Sequence, residues 1–170
     1  MMRTHPRRSG VSFFLAGALA LAALPGCSSS GDPSSGSYVV TFPSTAAAVA
    51  TDSVVVLVFD VPVQQLGTFC QDVVRKRRNK EDLPRAIAET AQITPCDLNG
   101  GKGPLSVSYG TRAVLAVGSR GGQDFLIGCA VQEVAEGSQP VPVDITLVNQ
   151  MVTVPQTSCV KFTDHCAGKC

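Results

Sequence analysis

The cysteines and one histidine are the residues of this sequence whose types and spacing could do chemistry. The chain has seven cysteines, and the last three lie close together around His165. They are Cys27, Cys70, Cys96, Cys129, Cys159, Cys166 and Cys170. Thiols pair as disulfides in an oxidising compartment, whereas cysteines grouped with a histidine could bind zinc. The compartment therefore decides between these chemistries.

The first 26 residues are typical of a secretory signal peptide. Arg3, Arg7 and Arg8 precede an uncharged apolar run over residues 11–24. A helix of this run would be about 21 Å long, which is shorter than the hydrocarbon layer of about 30 Å. The segment therefore predicts export and cleavage. The Arg7-Arg8 pair leaves twin-arginine export as an alternative to the general secretory route.

Leu24-Pro25-Gly26-Cys27 ends the apolar run, and a Ser/Gly-rich stretch follows it. These four residues resemble the lipobox of bacterial lipoproteins, in which a small residue directly precedes the cysteine that receives lipid. The resemblance implies acylation of Cys27, a membrane anchor, and a flexible tether over 27–37. In this family, Ser28 after the cysteine implies sorting to the outer membrane. An ordinary signal peptide that happens to be cleaved before a cysteine is the alternative.

The other six cysteines predict three disulfides, because their number is even and the chain is exported. Three lie in the body of the chain and three in residues 156–170, so an odd number of bridges must join this tail to the body. We expect Cys70 to pair with Cys96, which leaves Cys129 to pair with the tail. Zinc binding by Cys159, Cys166 and Cys170 with His165 is the alternative, although the spacing differs from the usual CxxC pairs.

A basic run is the second feature that could bind a partner. Five of the 11 basic residues that follow the signal peptide lie within six positions: Arg75, Lys76, Arg77, Arg78 and Lys80. A helical pattern over 63–80 places this run at a helix end, where cations are favoured by the helix dipole. The run is either a solvated helix end or a contact for anionic lipid headgroups or an acidic partner.

Motifs of catalysis are missing from the sequence. His165 is the only histidine after the signal peptide, and no HExxH, GxSxG, Walker or calcium-loop pattern occurs. We therefore expect no catalytic residues, no cofactor and no metal. A hydrolase with a carboxylate pair stays open, because such pairs meet only in the fold.

Composition limits the partners and the size of the fold. Removal of residues 1–26 leaves 11 basic and 13 acidic residues, a net charge of −2, which disfavours nucleic-acid binding. About 133 residues remain beyond the tether, which is enough for one domain. We expect it to span 38–155, followed by the Cys-rich tail 156–170.

Short alternating runs predict an all-β domain with one short helix or irregular insertion. The predicted strands are 38–42, 53–59, 86–94, 105–109, 112–117, 124–134 and 143–147, with 151–154 as a continuation or a last strand. The run 53–59 is continuous and rich in β-branched valine, so it should be buried on both faces. In 124–134, Phe125, Ile127, Cys129 and Val131 should share the inward face.

Four segments in this part of the sequence follow one another in an order that resembles a known arrangement: Tyr109 to Val117, Gly121-Gly122, Val131 to Val134 and Val143 to Leu147. This order resembles the C-terminal half of transthyretin-like and related immunoglobulin-like sandwiches. The resemblance covers about 45 residues and implies a sandwich of about seven strands. It implies no active site.

Together these features predict an envelope lipoprotein that acts as a non-enzymatic structural or interaction module. The loops 75–82, 99–103 and 119–123 are the expected contact surfaces, because loops on a rigid scaffold carry most contacts. The membrane, through the lipid, and an envelope protein or polymer are the expected partners. An accessory subunit or inhibitor of an envelope enzyme is the alternative function.

Overall fold

The structure, a computed structural model, describes residues 35–99 and 105–170, which form nine strands and four α-helices. The strands are β1 (Ser35–Gly36), β2 (Tyr38–Thr41), β3 (Ser53–Asp60), β4 (Ala88–Glu89), β5 (Val107–Ser108), β6 (Gly110–Arg120), β7 (Gln123–Val134), β8 (Val141–Asp144) and β9 (Thr146–Leu147). The helices are α1 (Thr45–Ala50), α2 (Phe69–Arg78), α3 (Pro95–Asn99) and α4 (Phe162–Cys166), and a 3-10 turn covers Val63–Gln65.

A five-stranded antiparallel sheet forms the centre, in the order β4-β3-β6-β7-β9. Its middle strands contain runs of apolar residues, Val-rich in β3, which suit a pleated surface that is covered on both sides. The prediction that residues 53–59 form a strand buried on both faces is confirmed: Val54, Val56 and Val58 face one hydrophobic core, and Phe59 faces a second.

The first core lies between the sheet and a smaller layer. In that layer β2 pairs in parallel with β8, and β1 pairs with β5. Val141 and Val143 of β8 and Ala47 of α1 are fully buried against the sheet. Each fully buried valine contributes roughly 1.5–3 kcal/mol relative to an exposed one, so this core holds the two layers together.

The second core lies under helix α2, which covers the other face of the sheet. Phe69 and Val73 of the helix pack on Leu115 and Ile127, and the Phe59 and Phe69 rings lie 5.8 Å apart. A disulfide between Cys70 and Cys129 joins the helix to β7. The expected helix within 63–80 is thus confirmed, and its position on the sheet is fixed by both apolar burial and a covalent bond.

Gly128 of β7 permits the closest approach of the backbones in the first core. A Cβ atom there would overlap the main chain of Asp144 and lie 2.9 Å from Ile145 Cα. The chain that leaves β8 can therefore cross directly over β7 only because this position has no side chain.

The C-terminal residues return to the body of the protein. Cys166 of α4 is bonded to Cys96 of α3, and Cys159 is bonded to Cys170. Phe162 packs on Phe42, with ring centroids 5.8 Å apart. One bridge, an odd number, joins tail to body as expected. The expected Cys70–Cys96 pair is wrong, because α2 lies on β7 and places Cys70 next to Cys129.

Four of the predicted strands differ from the observed ones. The predicted strand 105–109 is reduced to β5, and 143–147 is divided between β8 and β9, which belong to different sheets. Residues 86–94 pair with β3 only through β4 and an isolated bridge between Ile93 and Val54, and between them Thr90 Oγ1 accepts the hydrogen bond from Val56 N. Residues 151–154 form no strand.

The predicted inward face of β7 is also wrong at one position. Phe125 lies in the first core, whereas Ile127, Cys129 and Val131 lie on the side of α2. The β6–β7 register shifts by one residue next to Gly118 and Ser119, and such a bulge reverses the side-chain alternation. The chain is thus mostly β-strands in sheets, with short helices and three disulfide-bonded cysteine pairs.

Candidate functional site

The basic run lies at the C-terminal end of α2, and the helix ends there in an unusual way. Lys80 N donates to Arg77 O and Glu81 N to Lys76 O, which is the bond pattern of a Schellman motif. The left-handed residue of this motif is usually glycine, but here it is Lys80, with φ of 58°. Lys80 is the only non-glycine residue with positive φ in the described ranges.

Two cations of the run are neutralised within the protein. Arg77 makes a bidentate ion pair with Asp124 of β7, with Nε to Oδ2 at 2.7 Å and Nη2 to Oδ1 at 2.8 Å. Arg75 lies 3.6 Å from Asp72 and 3.4 Å from Glu81. These contacts attach the helix end to the β6–β7 turn and leave less charge available for a partner.

Two of the paired groups, Arg77 and Glu81, have pKa values shifted in the direction that favours the charged form. The hydrogen bond to Asp124 raises the pKa of Arg77, although burial opposes it. The hydrogen bond from Asn79 lowers the pKa of Glu81, and Arg75 adds to this effect.

Three cations of the run, Lys76, Arg78 and Lys80, form no ion pair with any described residue. Lys76 lines a small depression beside Phe69 and Pro84. Arg78 and Lys80 both line a much larger groove. The structure thus divides the predicted interaction residues: Arg75 and Arg77 are paired internally, Lys76 lies apart, and Arg78 and Lys80 share one surface.

The groove has a volume of about 1470 Å³ and runs beside the edge strand β9. Its walls come from the end of α2, the β6–β7 turn at Gly122 and Gln123, and residues 146–151. Leu147 is half-buried, and Met151, which is 89% exposed, extends the apolar part of the wall. This volume exceeds the roughly 300–1,000 Å³ of typical small-molecule sites, so the groove suits a segment of a polymer.

Two of the loops expected to carry contacts meet at this groove. Loop 75–82 supplies Arg78 and Lys80, and loop 119–123 supplies Gly122 and Gln123. The third loop, 99–103, lies almost wholly outside the described residues, as does Cys27. Sequence reasoning missed Leu147 and Met151, because an apolar residue beside a groove has the same pattern as one beside a core.

His165 lies in the cross-linked tail. Its Nδ1 is 3.9 Å from Cys159 Sγ, and its ring stacks on Phe162. The Cys159 sulfur is bonded to Cys170 and Cys166 to Cys96, so none of these cysteines is a free thiol. The zinc site considered from the sequence would need those thiols, and within residues 35–99 and 105–170 no three His, Cys, Asp or Glu side chains are grouped to hold a metal.

Over the same described part of the chain, none of the helices has the length and apolar character needed to cross a bilayer. No known protein family, curated protein or solved structure matches the chain. Proposals about function therefore depend on the sequence and on the groove alone.

Proposed function

We propose that this protein is a lipid-anchored, non-enzymatic binding module of the bacterial envelope, and that its groove takes an acidic ligand. The anchor is acylated Cys27, with the outer membrane as its location. Supporting the anchor are the signal-peptide pattern of 1–26 and the lipobox-like Leu24-Pro25-Gly26-Cys27. His165 supports a non-enzymatic role, because the sulfur beside its ring, Cys159 Sγ, is held in a disulfide and is therefore not a nucleophile.

One observation carries the choice of ligand: the groove contains two cations, Arg78 and Lys80, without an ion-pair partner among the described residues. Lys80 holds a left-handed backbone conformation that costs a side-chain-bearing residue about 1–2 kcal/mol. Strained backbone conformations cluster at functional sites, so the conformation of Lys80 supports its assignment to a contact surface.

For the fold, we propose a variant of the immunoglobulin-like or transthyretin-like sandwich. The β6–β7 hairpin with β8 packed across it supports this assignment. The parallel β2–β8 pair and the α2 layer are departures from a plain two-sheet sandwich. This assignment requires β2 and β8 to belong to a second sheet that faces β6 and β7. An experimental structure without such a sheet would reject it.

The binding proposal is tested on the full chain, purified in a non-ionic detergent, with a fluorescent capped peptide, Ac-TEVEVET-NH2, as the probe. The double variant Arg78→Gln/Lys80→Gln should weaken binding about tenfold, because each exposed ion pair contributes up to about 1 kcal/mol. The matched control is Arg85→Gln/Lys161→Gln, which removes the same charge from exposed residues outside the groove.

Fluorescence anisotropy at two salt concentrations measures both effects. The proposal requires a loss in the groove variant, a change of less than about twofold in the control, and weaker binding at higher salt. Equal losses in the two variants would show that net charge alone attracts the peptide, and would reject the groove as the site.

The anchor is tested separately by mass spectrometry of the protein from its native membrane fraction, after alkylation of free thiols. We expect an N-terminal peptide that begins at acylated Cys27 and no alkylation at the other six cysteines. An unmodified Cys27 would reject the lipid anchor without affecting the groove.

A further inference from the structure

The main chain of β9 offers hydrogen-bonding groups to the groove. Val148 N donates to Phe125 O at 3.1 Å, and Leu147 lies opposite Leu126 in the β7–β9 ladder. Successive residues of an antiparallel strand point their peptide groups to opposite sides. The N–H and C=O of Leu147 therefore point away from β7, toward the open side of the sheet.

No hydrogen bond from another described residue reaches these two groups. Leu147 is part of the groove wall, and β9 is the edge strand of the five-stranded sheet. Sheet edges with unpaired peptide groups are templates for another strand, and proteins usually cover them, charge them or keep them short. Here β9 is two residues long and next to it lies open space, so room remains for one added strand.

The unpaired charges at the groove define what such a strand would carry, because the two acids of its wall, Glu81 and Asp124, are already paired with Arg75 and Arg77. In an extended chain, alternate side chains share one side and recur about every 7 Å. Acidic residues at alternate positions would face Arg78 and Lys80 at the end of α2, and the residues between them would face the other wall, which includes the apolar side chain of Met151. Methionine adapts its shape to different apolar partners, which suits such a wall.

We propose that the groove binds an extended, acidic segment of a partner protein by strand addition to β9. Leu147 N–H and C=O pair with one residue of the segment, and Arg78 and Lys80 pair with its carboxylates. This inference rests on the proposed function, because it specifies the ligand of the same site. Affinity comes from the main-chain bonds and charge pairs, and selectivity comes from the acidic positions.

A bilayer surface is the other anionic ligand that cations at this position could contact. A bilayer would contact the charged groups of Arg78 and Lys80. It would not contact the peptide groups of Leu147, because these point sideways from the edge strand and not outward from a face of the protein. Lys76, the third unpaired cation of the run, lines a different depression, so the run does not form one continuous basic face. The free sheet edge favours the peptide.

The test uses two N-methylated forms of the peptide Ac-TEVEVET-NH2 with the unmodified full chain. One carries methyl groups on its two valine nitrogens, and the other on two of its glutamate nitrogens. The N–H groups of successive residues point to opposite edges of a strand, so the valine N–H groups lie on one edge and the glutamate N–H groups on the other. Only one of the two methylated forms therefore keeps the N–H groups on the edge that pairs with β9. We expect one form to bind about tenfold more weakly than the parent and the other to change by less than about twofold.

Hydrogen exchange of the Leu147 amide provides a second readout, because pairing should slow its exchange when the parent peptide is bound. As a control for charge, the peptide with glutamine in place of glutamate should bind about tenfold more weakly.

The outcomes separate this inference from the function on which it rests. If both methylated forms bind like the parent while Arg78→Gln/Lys80→Gln still weakens binding, strand addition is wrong and the acidic-ligand site stands. If the peptide does not bind but vesicles with phosphatidylglycerol do so through Arg78 and Lys80, the ligand is a membrane surface and the peptide proposal is overturned. If no probe depends on these two cations, both proposals fail.

Discussion

Replacement of Lys80 by glycine should raise the stability of this protein and weaken its binding at the same time. Lys80 occupies the left-handed position that ends α2, with φ of 58°. A side chain there costs about 1–2 kcal/mol, and glycine removes this cost. Glycine also loses more backbone entropy on folding, which returns about 0.4–1 kcal/mol. These two backbone effects together give an expected gain of about 0.5–1 kcal/mol, before the loss of the charge is counted.

Lys80→Ala is the matched control, because it removes the charge and keeps the strained backbone. The loss of a cation at the helix C-terminus costs a few tenths of a kcal/mol in both variants. The difference between Lys80→Gly and Lys80→Ala therefore isolates the backbone effect, and we expect about 1 kcal/mol in favour of glycine. Urea titration with the disulfides intact measures it as a shift of the midpoint at constant slope.

Both variants should bind the acidic peptide with a similar loss, of about threefold to fivefold, since one exposed cation is removed in each. A glycine variant that is no more stable than the alanine variant would refute the claim that Lys80 is strained. A glycine variant that is more stable and still binds like the original would refute the claim that the strain is retained for ligand contact.

Three further predictions concern the scaffold that positions the groove, each measured by urea unfolding. Gly128→Ala should destabilise the protein by more than about 2 kcal/mol, because the added methyl group overlaps the main chain of Asp144, and an unchanged midpoint would contradict that close approach. Cys70→Ser/Cys129→Ser should cost about 4 kcal/mol, since it opens a loop that spans 59 positions, and a loss below about 1 kcal/mol would argue against this pairing. Tyr38→Phe should stabilise the protein by about 1 kcal/mol at pH 7, because the buried Tyr38 hydroxyl has no hydrogen-bond partner among the described residues. Burial also raises the pKa of Tyr38, so the native state holds the phenol proton more tightly than the unfolded chain does; ionisation of this group leaves stability unchanged below pH ~10 and lowers it as the pH rises through the native pKa, and Tyr38→Phe should lack this alkaline loss.

The sequence predicts the elements of the sheet better than it predicts their contacts. The Val-rich run of β3, and the apolar runs bounded by turn residues in β6 and β7, favour strands locally, so these three strands lie where the sequence predicts them. The predicted face of Phe125 is wrong because a bulge depends on the partner strand. The alternation of residues within one strand does not reveal such a bulge.

The disulfide pairing shows the same limit in energetic terms. Closing the loop from Cys70 to Cys96 instead of to Cys129 would save only about 0.7 kcal/mol of chain entropy. The packing of α2 on β7 outweighs this difference, and the burial of Phe69 and Val73 that produces it is a tertiary effect. The odd number of cysteines in the tail is enough to predict that a disulfide joins the tail to the body, but not which cysteines form it.

For the groove, the composition of residues 75–80 identifies a charged surface but not which charges are available. Arg77 is neutralised by Asp124, which lies 47 positions away in the sequence, and no local pattern predicts that pair. Lys80 could be recognised only from its backbone angle. The free peptide groups of Leu147 follow from its place at the sheet edge, which is a property of topology.

The most direct test of the account is photo-crosslinking of the protein in the cells that make it. A photoreactive phenylalanine replaces either Met151, in the groove, or Val160, outside it; the two positions are similarly exposed, at 89% and 85%. We predict that position 151 forms an adduct with an acidic peptide segment, that position 160 does not, and that Arg78→Gln/Lys80→Gln abolishes the adduct. Equal adducts at the two positions, or an adduct at 151 that persists in the charge variant, would contradict the assignment of the groove as the binding site.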